Sequence, residues 1–290
     1  MTEPVLPTFL IIGARKSATS SLHKALSRHP DFCMSQPKEP CFFSHEGPYR
    51  RGIGWYSGLF KDPERPFRGE SSVDYGVPTR YPRVIPGIKA WLPPDTRFVF
   101  VARHPIRRLE SEWRMHNPIG RYGDAPFDVA IDRYGLLETS LYFKQLSQYV
   151  DAFGRDRIHV CTYEDLISDP SRVVSECLVF LGADPSKAPD RELPHELDSN
   201  RRTAHRLSFM RKLARKKWFK QVRGQVPESI QDLMRSVLKK PANSAIPWNR
   251  SLHDRVTETV SADAARFLSS FGLPESTWSF ERWDDRRIRA

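Results

Sequence analysis

Twice in this chain a short, nearly continuous apolar run stops abruptly and gives way to helical spacing, and this repeated unit constrains the fold more than any other feature. Thr8-Phe-Leu-Ile-Ile-Gly13 lacks the alternation of a half-exposed strand, which is the pattern of a strand buried on both faces in a parallel sheet. Leu22, Ala25 and Leu26 then follow at i, i+3 and i+4, and Pro30 closes the predicted helix. The second unit is Arg97-Phe-Val-Phe-Val-Ala102, then Arg103-His104-Pro105, then helical spacing through Leu109, Trp113 and His116. A third strand is predicted over 157–163, between helices over 140–153 and 170–181. The alternation predicts an α/β domain with a central parallel sheet flanked by helices.

The stretch 34–95 is rich in Pro, Gly and aromatic residues and predicts long loops, short helices and one short strand near 69–73. Long loops in such a domain usually carry function. Beyond about residue 200 the pattern is helical, with helices expected near 204–220, 228–239 and 249–271. The expected organisation is a single domain over 1–290, with an α/β core over 1–182 and a mostly helical region over 183–290.

No stretch approaches the ~20 apolar residues of a membrane span, and the amino-terminal apolar run lacks a basic flank before it. Four cysteines, Cys33, Cys41, Cys161 and Cys177, are too few for a disulfide scaffold, and none form a CxxC pair suited to zinc. A cytoplasmic setting is the expectation. Of the net charge of +11, most traces to residues 201–223, which hold ten Lys or Arg and no acid. Such a run suits a phosphate-binding face, a nucleic-acid patch or a solvated helix surface equally well.

The loop after the first strand, Gly13-Ala-Arg-Lys-Ser-Ala-Thr-Ser-Ser-Leu22, sits where parallel sheets place ligands, at a strand's carboxyl end and a helix amino terminus. Unpaired helix N–H groups suit a phosphate there. Lys16 adds a full charge, and Thr19, Ser20 and Ser21 add hydroxyl donors. Helix capping alone would not call for a lysine and three hydroxyls within six residues. The loop differs from the nucleotide triphosphatase pattern GxxxxGK[ST], because Lys16 comes three residues after Gly13 and is followed by Ser-Ala-Thr. It resembles instead the 5′-phosphosulfate loop, KxGT[TS]xL, of sulfotransferases that use 3′-phosphoadenosine 5′-phosphosulfate (PAPS), through Lys16, Thr19, Ser20 and Leu22. Ala18 stands where that pattern has glycine. The second unit, Arg103-His-Pro-Ile-Arg-Arg-Leu-Glu-Ser111, is similar to the 3′-phosphate motif RxPxxRxxS of the same family.

The resemblance implies a P-loop-like sulfotransferase fold in which Arg15, Lys16, Ser17, Ala18, Thr19, Ser20 and Ser21 cradle the 5′-phosphosulfate. Arg103 and Ser111 would hold the 3′-phosphate, and Arg201 or Arg202 would close over it by position alone. Arg107 and Arg108 read as surface or ion-pair residues. The product would be 3′-phosphoadenosine 5′-phosphate (PAP), and no metal is required.

Between the two phosphate motifs, Gln36-Pro-Lys-Glu-Pro-Cys-Phe-Phe-Ser44 and Gly52-Ile-Gly-Trp-Tyr56 resemble the ExxFF and GxxWY segments of the heparan sulfate and glycan sulfotransferase branch. That resemblance makes Glu39 the catalytic base, partly desolvated by its Phe- and Pro-rich loop. Arg68-Gly-Glu-Ser-Ser-Val-Asp-Tyr75 is similar to the segment that follows in the same family, with Ser71 at a position often held by lysine. Glu70, His45 and His116 are candidates for acceptor binding, and the two histidines are alternative bases. The likeness runs from Phe9 to about Gly182 and includes Tyr163-Glu-Asp-Leu-Ile-Ser-Asp-Pro170. It implies O-sulfation of a glycan, glycolipid or secondary metabolite. The competing readings are a polyanion or nucleic-acid binder that uses residues 201–223, where Phe209, Trp218 and Phe219 could stack on bases, and a kinase-like phosphotransferase.

Overall fold

Five strands form one parallel sheet in the order β2-β3-β1-β4-β5: β1 (Phe9–Gly13), β2 (Phe32–Met34), β3 (Phe67–Ser71), β4 (Arg97–Ala102) and β5 (Ile158–Thr162). The computed structural model describes residues 4–188 and 246–281. Every residue of β1 is buried, as its unbroken apolar run requires. The helices are α1 (Thr19–Ser27), α2 (Glu46–Arg50), α3 (Gly52–Ser57), α4 (Val84–Trp91), α5 (Pro105–His116), α6 (Phe127–Arg133), α7 (Tyr142–Phe153), α8 (Tyr163–Ser168), α9 (Pro170–Leu181) and α10 (Arg250–Phe271). The helices expected near 204–220 and 228–239 lie outside the described residues, whereas that expected near 249–271 is α10.

The described residues fall into two compact units, the first holding 4–104, 141–188 and 263–277 and the second 105–140, 246–262 and 278–281. In the first unit, Phe98 and Phe100 of β4 project from one sheet face onto Tyr142, Tyr149 and Phe153 of α7 and Phe267 of α10. Each ring so buried contributes on the order of 1.5–3 kcal/mol. The intervening residues Val99 and Val101 face the other side, in register with His159 and Cys161 of β5. Short-range signals fix the helix starts: Thr162 Oγ1 accepts from the Asp165 N–H at 3.0 Å, and Asp169 Oδ1 accepts from the Arg172 N–H at 3.1 Å with Pro170 in the first turn. The amino terminus of α7 is capped from afar, by the Asp263 carboxylate on the N–H groups of Phe143 and Lys144.

The second unit packs Trp113 of α5 parallel to Tyr122 and edge-on to Phe127, which in turn meets Trp248. Arg108 is fully buried there, its guanidinium donating to Glu112, to Ser140 Oγ at 2.7 Å and to the Leu136 carbonyl at 2.6 Å. Arg107, one position earlier on the helix, is exposed. No helix among the described residues is long and apolar enough to cross a membrane.

Gly69 in β3 is required by a ring. A Cβ there would stand 2.1 Å from Phe9 Cζ, and that ring is itself packed on Phe32, which stacks on Phe67. Gly69→Ala is expected to lower unfolding free energy by about 1–3 kcal/mol, the usual cost of overpacking a well-filled core. Urea denaturation at constant m-value measures it, and an unchanged midpoint would show that the ring yields freely.

Candidate functional site

The strand order reverses at β1, whose neighbours β3 and β4 lie on its two sides, and the loops after β1 and β4 therefore leave the sheet side by side. Ligands of open α/β sheets bind at such a switch point. In the first loop Lys16 (φ 71°) and Ala18 (φ 62°) take the left-handed conformation and Ser17 between them does not. This alternation turns successive backbone N–H groups toward one concavity, an anion-binding nest. Ala18 is the cap residue of α1 and no side chain caps that helix, so the hydroxyls of Thr19, Ser20 and Ser21 are not spent as its caps. Thr19 and Ser21 are buried and Ser20 is half-buried. Glycine would hold the Ala18 conformation without steric cost, which accounts for its place in the family pattern.

Ser17 Oγ is fully buried and has no hydrogen-bond partner. A buried hydroxyl left unbonded costs about 1–3 kcal/mol. The loop after β4 joins this one directly: Arg103 Nη1 donates to the Lys16 carbonyl at 3.0 Å, while its guanidinium lies 4.3 Å from the Tyr163 ring centroid. Arg103 Nε is also buried without a partner. Two donors from two phosphate-type loops thus stand unmet in contacting segments. Lys16 and Arg103 add positive charge to these two segments, which suits an anion.

A sequence model of the sulfotransferase domain matches residues 6–241, well over half of the chain. The chain belongs to the sulfotransferase family. Among curated proteins it is similar to heparan sulfate glucosamine 3-O-sulfotransferase 6 of Mus musculus, with 30% identity over 188 residues, 61% of this chain and 52% of that protein. It is also similar to the bifunctional heparan sulfate N-deacetylase/N-sulfotransferase 4 of Mus musculus, with 25% identity over 205 residues, 62% of this chain and 23% of that one. The chain therefore spans about half or less of the length of these relatives. A solved sulfotransferase from Alicyclobacillus acidocaldarius has the same fold, with a TM-score of 0.63 and 24% identity over 94% of this chain and 98% of that one.

Within the ExxFF segment the residues divide their labour. Phe42 stacks on Tyr56 of α3 at 4.5 Å, Phe43 meets both Phe42 and Tyr56 edge-on, and the Phe43 N–H donates to Tyr75 Oη at 3.1 Å. These rings anchor the loop in the core and turn Glu39 outward. Glu39 (φ 60°) donates its N–H to the Ser71 carbonyl at 3.0 Å, at the end of β3, and pairs with Lys38 at 2.5 Å. Its side chain is 40% exposed, so the expected desolvation by the aromatic loop does not occur. The rings pack inward and leave the carboxylate in water.

Glu70 does not line an acceptor surface. It is fully buried and accepts hydrogen bonds from Tyr56 Oη, Ser72 Oγ and, at 3.3 Å, Tyr75 Oη. Burial pushes its carboxyl up to about 7, the hydroxyl donors pulling the other way. The GxxWY segment thus supplies a structural partner, Tyr56, to the carboxyl below. His45, 45% exposed, stands with Nε2 at 3.6 Å from Asp74, and Asp74 also binds the Arg15 guanidinium. No motif spacing marks Asp74, yet it ties the loop after β1 to the segment after β3. Ser111 lies half-buried two turns into α5, and His116 lies buried at that helix's end beside Tyr122, both in the second unit. Arg201 and Arg202 lie outside the described residues.

The buried Glu70 makes stability pH-dependent with a definite sign. Its folded-state pKa is raised, so between about 4.5 and 7 the folded chain holds a proton that the unfolded chain has released, and stability falls as pH rises through that window. Glu70→Gln removes this loss. The substitution is expected to stabilise the chain at pH 8 relative to pH 5 by roughly 1–3 kcal/mol when each is referred to wild type. Denaturant midpoints at the two pH values measure the difference.

Proposed function

We propose that the chain transfers the sulfuryl group of PAPS to a hydroxyl of a glycan-type acceptor. The observation that carries the reading is the pair of buried, unsatisfied donors, Ser17 Oγ and Arg103 Nε, in two loops joined by the Arg103–Lys16 hydrogen bond. PAPS, when bound, supplies an activated sulfuryl group together with two phosphate groups that need cationic and N–H partners. The nest at 16–18, the α1 amino terminus and the hydroxyls of Ser17, Thr19, Ser20 and Ser21 hold the 5′ side. Arg103 holds the 3′-phosphate and reaches the first loop through the Lys16 carbonyl. Lys16 supplies fixed positive charge to the group that leaves.

Glu39 accepts the proton of the acceptor hydroxyl. Its backbone bond to Ser71 fixes its place at the end of β3, and its exposure leaves the carboxylate open to an acceptor arriving from solvent. Lys38, paired with it, orients the carboxylate. The hydroxyl acceptor is favoured over an amine because the 3-O-sulfotransferase is the more similar of the two curated relatives, at 30% against 25% identity.

Two variants separate donor binding from proton transfer. Arg103→Ala is expected to weaken PAP at least tenfold while leaving adenosine 5′-phosphosulfate within about threefold, because only PAP carries the 3′-phosphate. Calorimetry with the two ligands decides, and equal losses would contradict the assignment. Glu39→Gln keeps side-chain shape and cannot take a proton, so PAP affinity should hold within about threefold while kcat falls by about 10² or more. A nearly unchanged kcat would move the base to His45.

A further inference from the structure

We propose that His159, Cys161 and Cys177 form a zinc-binding site that clamps the edge strand β5 to helix α9, apart from the donor loop and the acceptor segments. One ligand atom from each residue lies within 4.8 Å of the other two. The placement follows from the fold. His159 and Cys161 are two apart on β5 and project from the same sheet face, and Cys177 is buried on α9, which packs against that strand. A tetrahedral zinc with bonds of ~2.3 Å to sulfur and ~2.0–2.1 Å to nitrogen holds its ligands roughly 3.5–3.8 Å apart, so shifts of about 1 Å at the side-chain ends complete the geometry.

One further observation points to a cation rather than to ordinary core packing. His159 Nε2 is buried and has no hydrogen-bond partner, which is an unmet polar atom beside two thiols. Arg155, the cation acting on His159, donates to the Ile158 carbonyl and so has a role of its own in holding β5. Binding displaces the proton of each thiol, which is released to solvent. Two thiolates and an imidazole are ligand types that zinc takes. A second group, Cys41, His45 and Asp74, meets the same distance limit, but there the Arg15 guanidinium already holds Asp74.

The test uses the whole chain carrying Cys41→Ser, which removes that second group. After chelator treatment, zinc is titrated by calorimetry. One zinc per chain at micromolar affinity or tighter is expected, with at least a tenfold loss on adding His159→Gln and unchanged circular dichroism. No zinc uptake, or uptake that His159→Gln leaves within threefold, would overturn the site. Should His159→Gln fail to fold, cobalt loading of a Cys33→Ala, Cys41→Ser chain decides instead, since Cys161 and Cys177 are then its only thiols. Thiolate-to-cobalt charge-transfer absorption is expected, and its absence would equally overturn the proposal.

Discussion

The parallel pairing of β1 with β4 is the constraint on which the rest depends. Phe9, Leu10 and Ile11 pair with Arg97, Phe98 and Val99, Gly13 pairs with Phe100 after a register shift, and the first loop residue, Ala14, still donates to the Val101 carbonyl at 2.8 Å. The two loops therefore begin from a common edge. That edge places the Arg103 guanidinium on the Lys16 carbonyl and makes one charged concavity of two segments 87 residues apart. Burial of both strands on both faces supplies the rigidity, because a loop can hold a left-handed, anion-binding conformation only when its ends are fixed.

Much of this was legible before any coordinates. The strands over 97–102 and 158–162 and the helix over 170–181 appear in the sequence because each is long enough to show an apolar run or a helical period, bounded by Pro, Gly or a capping Asp. The three-residue β2 was not, since Phe32-Cys-Met34 is too short for any period to emerge. Its place in the sheet is set by pairing with β3, a non-local fact.

The loops after β1 and β4 drew notice in the sequence because their charged and hydroxyl residues are concentrated in two contiguous motifs. The segments between them could be read only in part. The spacing of Glu39 to Phe42 and Phe43 located the outward carboxylate, but side-chain type alone could not tell that the aromatic pair would face inward and leave Glu39 wet. The same ambiguity misplaced Glu70, a carboxylate that the strand pleat turns into a nest of Tyr56, Ser72 and Tyr75. Asp74 could not be found by spacing, because its partner Arg15 is brought to it by the β1–β3 register and His45 comes from the separate segment that follows β2.

The central claim is that the nest between β1 and α1 is a donor site whose lysine serves transfer rather than folding. Sulfuryl transfer by purified Lys16→Ala, measured with saturating PAPS beside circular dichroism of the same sample, tests it most directly. A charge on a half-buried loop contributes little to stability, so the variant should stay folded while kcat falls by roughly 10² or more. A folded variant that keeps more than about a tenth of the wild-type rate, a loss of only ~1.4 kcal/mol, would contradict the account.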